Sequence, residues 1–243
     1  MSDYGRAQLM LPRLTSTVKT LIIMLLCTYV AQLIADVWLK LGVGQLLALR
    51  PGGSELWQLI TYVLVDLGHP LMFVIGLLFL WWALSPFEAA FGSRRTWQLC
   101  IVCALGGSLP AWLVGFVIAP SPPLFGSHVL WYGGITASVW MRRDGVINFF
   151  GLMAMTTKQF LLLILGLALL MFLASQNHSQ FIGVLGAMAA GIGFVNWMAR
   201  PRKPAPPKKK RRADAARARG FKVIEGGGGD GDGDDDERPK WLN

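Results

Sequence analysis

The residues best suited to chemistry are three histidines and a serine that directly precedes one of them. His69, His128 and His178 carry imidazoles that can exchange a proton or bind a metal ion, and Ser127 offers a hydroxyl next to His128. A serine and a histidine act as nucleophile and base only when their side chains meet. Adjacent residues of a helix point in different directions, so this pair does not predict catalysis by itself. The simpler interpretation is that Ser127 starts a helix and caps its free amides, and that His128 is a hydrogen-bonded polar residue.

Metal, cofactor and redox chemistry are not expected. The three histidines fall in three separate elements, so a shared metal site is not predicted, and no cofactor motif is present. Cys100 and Cys103 form a C-x-x-C on an apolar stretch, where packing is the simpler role. Residues 230–234 alternate Asp and Gly, but a calcium loop would need Gly where Asp235 stands and Glu where Trp241 stands.

The elements that must position these residues are membrane helices. Of the 243 residues, 53% are hydrophobic and only 15% are charged, and long windows carry no charge. This distribution predicts a polytopic membrane protein, whose helices contact the lipid bilayer. The net charge of +9 comes from basic residues at predicted membrane edges and in the tail, so nucleic-acid binding is not predicted. Six spans are predicted, at Val18–Trp38, His69–Ala90, Trp97–Ile118, Ser127–Met141, Ile147–Ala174 and Phe181–Met198.

Two stretches leave the span pattern open. Lys158 lies inside the fifth predicted span, which therefore begins either at Ile147 or only near Phe160. Residues 39–67 are too interrupted for a span and too apolar for an ordinary loop, so an interfacial or re-entrant segment is predicted. The short polar stretch Ser175–Gln180 is expected to be the last loop.

Charge predicts the orientation and the regions. Basic residues collect on the side of both termini, which places both termini in the cytoplasm under the positive-inside rule. The predicted regions are a cytoplasmic segment 1–17, a membrane domain 18–199 and a charged tail 200–243. The tail lacks apolar periodicity and is expected to be disordered. Its Lys208–Arg212 run either contacts anionic lipid headgroups or serves only as a topogenic, solubilising cluster.

Several segments, taken in order, resemble the rhomboid family of intramembrane serine proteases. Residues 47–62 resemble the family's first loop, and residues 80–95 resemble the end of its second span with the following turn. Residues 126–133 are similar to the start of the fourth span, and residues 183–191 to the sixth. The resemblance implies an all-α fold of six transmembrane helices.

The same resemblance implies that the catalytic groups are missing. The family's G-x-S-G motif corresponds here to residues 126–129, which puts His128 at the position of the nucleophile. Gly183 stands at the position of the histidine base, and Gly76 at that of the asparagine that stabilises the oxyanion. The resemblance therefore implies a rhomboid scaffold without a catalytic dyad. If the register were shifted by one, Ser127 would be the nucleophile.

The function expected from the resemblance is binding of transmembrane segments of client proteins without cleavage. An active endopeptidase that uses Ser127 remains a first alternative, and an unrelated polytopic protein or transporter subunit a second. The compact six-span form and the RPKWLN ending, which is similar to tails of some bacterial rhomboids, predict the bacterial inner membrane. Small residues let helices approach closely. The predicted helix junction and client groove consist of Gly126, Tyr132, Gly133, Gly134, Gly183, Gly186 and Ala190.

Overall fold

The computed structural model describes residues 12–118, 121–142, 145–149 and 153–200. Eight α-helices lie in this part of the chain, with one small antiparallel hairpin between the sixth and the seventh. A π-helical turn, Ile34–Trp38, extends α1, and a 3-10 turn, Tyr62–Leu64, follows α3. The helices are α1 (Ser16–Leu33), α2 (Val43–Leu47), α3 (Gln58–Thr61), α4 (Pro70–Phe91), α5 (Ser93–Val114), α6 (His128–Trp140), α7 (Thr157–Ser175) and α8 (His178–Ala199). The strands are β1 (Val146–Phe149) and β2 (Met153–Thr156).

Five helices of the described chain are long and apolar enough to cross a membrane: α1 with its π-helical turn, α4, α5, α7 and α8. The prediction of an all-α membrane fold is confirmed, and the described residues depart from it only in the short hairpin and an isolated β-bridge between Leu49 and Leu124. Helix α6 has 13 residues, about 20 Å at 1.5 Å per residue, and packs against α4, α5, α7 and α8. It is apolar around most of its circumference, as expected of a helix enclosed by others. The count of six spans stays a prediction.

The fifth span begins later than its apolar run suggests. The prediction that it starts at Ile147 is wrong, because residues 146–149 and 153–156 form two paired strands and α7 starts at Thr157. Two reciprocal hydrogen bonds cap this start: the Thr156 side chain accepts from the N–H of Gln159, and the Gln159 side chain accepts from the N–H of Thr156. Lys158 is therefore an exposed residue of the first turn, in agreement with the alternative of a start near Phe160.

The ends of two other spans also differ from the prediction. Helix α8 begins at His178, where a loop was expected, because the Asn177 side chain accepts a hydrogen bond from the N–H of Gln180 at 2.9 Å. Helix α5 begins at Ser93 rather than Trp97. A single residue, Gly92 with φ of 81°, makes the turn from α4 to α5.

Glycine and alanine bring α8 against α5 and α6. A Cβ at Gly186 would lie 2.1 Å from the carbonyl oxygen of Gly106, and a Cβ at Gly106 would lie 2.3 Å from Cβ of Ala190. On the other side of α8, a Cβ at Gly191 would lie 2.6 Å from the carbonyl oxygen of Gly133. The predicted junction between α6 and α8 forms at Gly133, but Gly183, Gly186 and Ala190 of α8 face α5 instead. The equally close contact of α8 with α5 was not predicted.

Glu88 connects α4 to the start of α1. Its carboxylate accepts hydrogen bonds from the main-chain N–H groups of Thr17 (2.9 Å) and Val18 (3.1 Å), and from the Ser93 hydroxyl (2.7 Å). The Thr15 hydroxyl donates to it as well. A negative charge at a helix N-terminus is favourable because the first amides have no partner within the helix. The sequence analysis did not assign this role.

The first loop, residues 39–69, folds back onto the bundle. The buried Gln58 side chain accepts from the N–H of Arg50 (2.9 Å) and donates to the carbonyl of Leu46 (3.0 Å). The Trp112 indole of α5 donates to a loop carbonyl at 2.7 Å. Apolar side chains that the loop leaves exposed, as an interfacial segment would, include Leu39, Leu41, Leu46, Leu56, Trp57 and Ile60.

Candidate functional site

A cavity of about 310 Å³ lies at the end of the bundle where α4, α6 and α8 begin and α7 ends. Its lining combines a long apolar wall with a few polar groups close to the start of α6. Such a combination is typical of binding pockets, in which apolar surface gives affinity and a few polar groups give orientation. The polar side chains of the lining include Asp66, Ser127, His128 and Gln180. The apolar ones include Ile75, Phe79, Leu167, Met171, Phe181 and Val184.

The start of α6 is fixed by the first loop. The buried Tyr62 hydroxyl donates to the carbonyl of Ala104 in α5 at 2.7 Å, and the Tyr62 carbonyl accepts from the N–H of Gly126 at 3.0 Å. Leu49 and Leu124 exchange two main-chain hydrogen bonds of 2.9 Å each. These contacts hold the chain that leads into α6, and with it Ser127 and His128.

Two of the three positions that the resemblance assigns to catalytic groups line the cavity. They are Gly76 and His128, and Ser127 and Tyr132 are lining residues as well. Gly183 is not: a Cβ there would lie 3.1 Å from Leu124 Cδ2 in the core. The structure thus brings together the nucleophile and asparagine positions, and the base position packs elsewhere.

Gly76 leaves space that a side chain could fill. A Cβ at this position would lie 3.6 Å from the indole nitrogen of Trp131 and 4.0 Å from Ser127 Oγ, which are ordinary contact distances. A longer side chain at position 76 would therefore face Ser127. Packing does not require a glycine at this position, and its missing side chain enlarges the cavity.

Ser127 does not cap α6. It occupies the N-cap position, yet within the described residues its side chain makes no capping hydrogen bond, so the expected capping role is wrong. Its backbone is close to helical there, with φ of −73° and ψ of −3°, whereas capping residues are usually extended. The side chain instead lines the cavity.

The His128 ring lies beside Gly126, a position at which any other residue would be strained. Gly126 has φ of 100°, and a Cβ on it would lie 2.7 Å from His128 Nδ1. The Nε2 atom of His128 is buried and has no hydrogen-bond partner within the described part of the chain. The expectation of a hydrogen-bonded polar residue is therefore wrong for this nitrogen, whose hydrogen-bonding capacity is unused.

Asp66 is the functional candidate that the motif analysis missed. Its main chain is clamped by the Gln32 side chain, which accepts from the Asp66 N–H (3.1 Å) and donates to the Asp66 carbonyl (3.0 Å). One carboxylate oxygen accepts from the N–H of Gly68 at 2.8 Å, and the other lies 3.7 Å from the Cβ position of Gly126. Burial raises the pKa of this carboxyl, although the hydrogen bond from Gly68 works in the opposite direction. The signal in the sequence that could have found it is an ionisable residue that follows an apolar stretch.

The other two histidines do not join the site. His69 and His178 are exposed, and neither is among the residues that line the cavity. The His178 ring instead packs edge-on against Phe172, with centroids 5.3 Å apart. Neither imidazole is placed to take a proton from Ser127.

The comparison with known families decides the relationship. The model of the Rhomboid domain matches residues 53–200, which is more than half of the chain and includes all the described residues that line the cavity. This chain belongs to the rhomboid family. No curated protein matches it significantly. Family membership and the apolar helices make it an integral membrane protein, and the alternative of an unrelated polytopic protein is no longer needed.

Proposed function

We propose that this rhomboid-family protein binds transmembrane segments of client membrane proteins and does not cleave them. One observation carries the proposal: the cavity is lined by His128 and Gly76, the residues that the resemblance assigns to the positions of the nucleophile and the asparagine. Among the described lining residues, α8 supplies Gln180, Phe181 and Val184 and no general base. These features support a binding surface that is retained while the family's own catalytic groups are replaced at their expected positions.

Helix α7 is the element best suited to admit a client. Its buried residues are Thr157, Phe160, Ile164 and Ala168, and beyond Ala168 none of the described residues of the helix is buried. The end of α7 that borders the cavity is thus weakly packed. Segments with few buried contacts open most readily, so a small outward movement of this end would extend the cavity toward the lipid.

Site-specific photo-crosslinking in native membranes tests the proposal. A photoreactive residue at Met171, which lines the cavity, is expected to capture membrane-protein partners. The same residue at Leu170, which is 63% exposed and does not line the cavity, serves as the matched control. Ala168→Phe, which fills the cavity, is expected to abolish capture at Met171. Equal capture at both positions, or capture that survives the cavity-filling change, would contradict client binding in this cavity.

A serine endopeptidase that uses Ser127 is the second candidate. It is favoured by the 4.0 Å separation of the Gly76 Cβ position from Ser127 Oγ and by the presence of His128 and Asp66 in the same cavity. A fluorescent serine-hydrolase probe, with Ser127→Ala as control, distinguishes the two. Labelling that disappears in Ser127→Ala, together with cleavage of a transmembrane substrate, would replace the first proposal.

The environment of the protein completes the proposal. We propose that it resides in a bacterial inner membrane with both termini cytoplasmic, because basic residues collect on one side of the predicted spans. The Lys208–Arg212 run, which lies outside the described residues, would then contact anionic headgroups. Protease accessibility of tags at the two termini tests this orientation.

A further inference from the structure

The polar end of the cavity holds two groups whose bonding capacity is not used. The position of a Cβ on Gly126 lies 2.7 Å from His128 Nδ1 and 3.7 Å from Asp66 Oδ2, so both side chains flank the same glycine. Within the described chain, Asp66 makes no ion pair, and His128 Nε2 has no hydrogen-bond partner. Both residues line the cavity.

Asp66 is held in place and is not free to turn toward another partner. The Gln32 clamp fixes the main chain of Asp66, and the N–H of Gly68 fixes one carboxylate oxygen. A partly buried carboxylate with one hydrogen bond, beside an unpartnered imidazole nitrogen, is unfavourable unless a ligand completes the set. No lysine or arginine is among the described residues that line the cavity, so the chain itself does not supply the missing cation there.

The remaining lining defines the rest of the ligand. It is mostly apolar and borders the weakly packed end of α7, so the body of the ligand must be apolar. Its tip must donate hydrogen bonds and carry positive charge. An arginine meets this requirement well, because the five N–H donors of a guanidinium can reach a carboxylate and an imidazole together.

We propose that the cavity selects transmembrane segments that carry a basic side chain near one end, with Asp66 pairing with the charge and His128 accepting a hydrogen bond. This inference rests on the proposed function and names the class of client. A basic residue is costly within a bilayer, so a binding site that pairs it discriminates strongly against segments without one. The overall net charge of +9 repels such a segment, so a preference for it must come from the site.

Binding of two synthetic helices to the full-length protein in nanodiscs tests the inference. Each is an apolar peptide of about 25 residues with one polar residue near its end, arginine in one and the neutral isostere citrulline in the other. Binding is measured by energy transfer from a donor dye on the protein. The arginine helix is expected to bind at least about tenfold more tightly, because hydrogen bonds to charged groups are roughly twice as strong as neutral ones.

Two variants locate the preference. Asp66→Asn keeps an oxygen for the N–H of Gly68 but removes the charge, and it is expected to bring the two affinities close together. Glu55→Gln removes a carboxylate of the first loop that does not line the cavity, and it is expected to leave the ratio unchanged. The comparison of the arginine and citrulline helices is made on the unsubstituted protein, so this result does not depend on whether a variant folds.

The outcomes separate this inference from the proposed function. If neither helix binds, both fail. If both helices bind equally, or if the arginine preference survives Asp66→Asn, client binding stands and selection by Asp66 is refuted. Occupation of the cavity by a bilayer lipid would appear as equal and weak binding of the two helices, which also refutes it.

Discussion

Replacement of Gly186 by alanine tests how closely α5 and α8 approach. The added Cβ would lie 2.1 Å from the carbonyl oxygen of Gly106 and 3.0 Å from Cγ of Pro110. The first of these atoms belongs to the main chain of another helix, so it cannot move aside as a flexible side chain would. The two helices must separate, and the contacts around the junction must loosen with them.

The expected cost follows from overpacking, about 1–3 kcal/mol for extra carbon in a tightly packed contact. Higher helix propensity of alanine offsets up to about 1 kcal/mol of it. Gly193 is the matched control, because it lies on the same helix and has no atom within 4 Å of its Cβ position. Gly193→Ala is expected to be neutral or to stabilise by up to about 1 kcal/mol. The two substitutions should therefore differ by about 1–3 kcal/mol.

Reversible unfolding in mixed micelles of dodecylmaltoside and sodium dodecyl sulfate measures this difference, with circular dichroism as the readout. The midpoint of Gly186→Ala should shift to lower dodecyl sulfate fraction, and that of Gly193→Ala should not. Equal free energies of unfolding for the two variants would show that backbone contact between α5 and α8 is not the reason for glycine at position 186.

Three further perturbations follow from the contacts of single side chains. Glu88→Gln removes the charge that receives two amides of α1 and should cost about 1–3 kcal/mol in the same unfolding assay, whereas Glu55→Gln should cost little. Gln58→Leu leaves one N–H and one C=O of the first loop unpaired, and hydrogen exchange of the loop amides should increase while α8 stays protected. Burial raises the pKa of Asp66, so the folded protein favours the protonated carboxyl. This contribution to stability is lost as the pH rises from the ordinary pKa of 3.8 through the raised pKa. Asp66→Asn should therefore raise the melting temperature at about pH 7 and change it little at about pH 3, and the reverse pattern would refute the assignment.

Much of the fold could be predicted because apolar length and charge asymmetry are local properties. The positions of α4 and α8 follow the hydrophobic runs within a few residues. The start of α7 was less certain, since the apolar residues of 147–155 suit a strand as well as a helix, and Lys158 was the only sign of a later start. In the folded protein, the capping pair Thr156 and Gln159 fixes the start of the helix at Thr157.

The site was less predictable, because motif positions do not state which way a residue faces. His128 and Gly76 were singled out by the family resemblance, and the structure places both on one cavity. Asp66 belongs to no motif, and its main chain is fixed by the Gln32 side chain, which lies 34 positions away in the sequence. The tie between Glu88 and α1 is equally long-range.

Glycine stands at two of the positions that the resemblance assigns to catalytic groups, with opposite physical consequences. At Gly76 the nearest atoms lie 3.6–4.0 Å from a Cβ, so an asparagine side chain has room and would face Ser127. At Gly183 a Cβ would meet two methyl groups of Leu124, at 3.1 and 3.2 Å, and Leu124 is completely buried and fixed by its main-chain hydrogen bonds to Leu49. A histidine at position 183 would have to displace this leucine before its ring could turn toward the cavity. The position that the resemblance assigns to the asparagine thus has room for a side chain, whereas the position assigned to the base is filled by the packing of the core. A histidine at position 183 would therefore be harder to introduce than an asparagine at position 76.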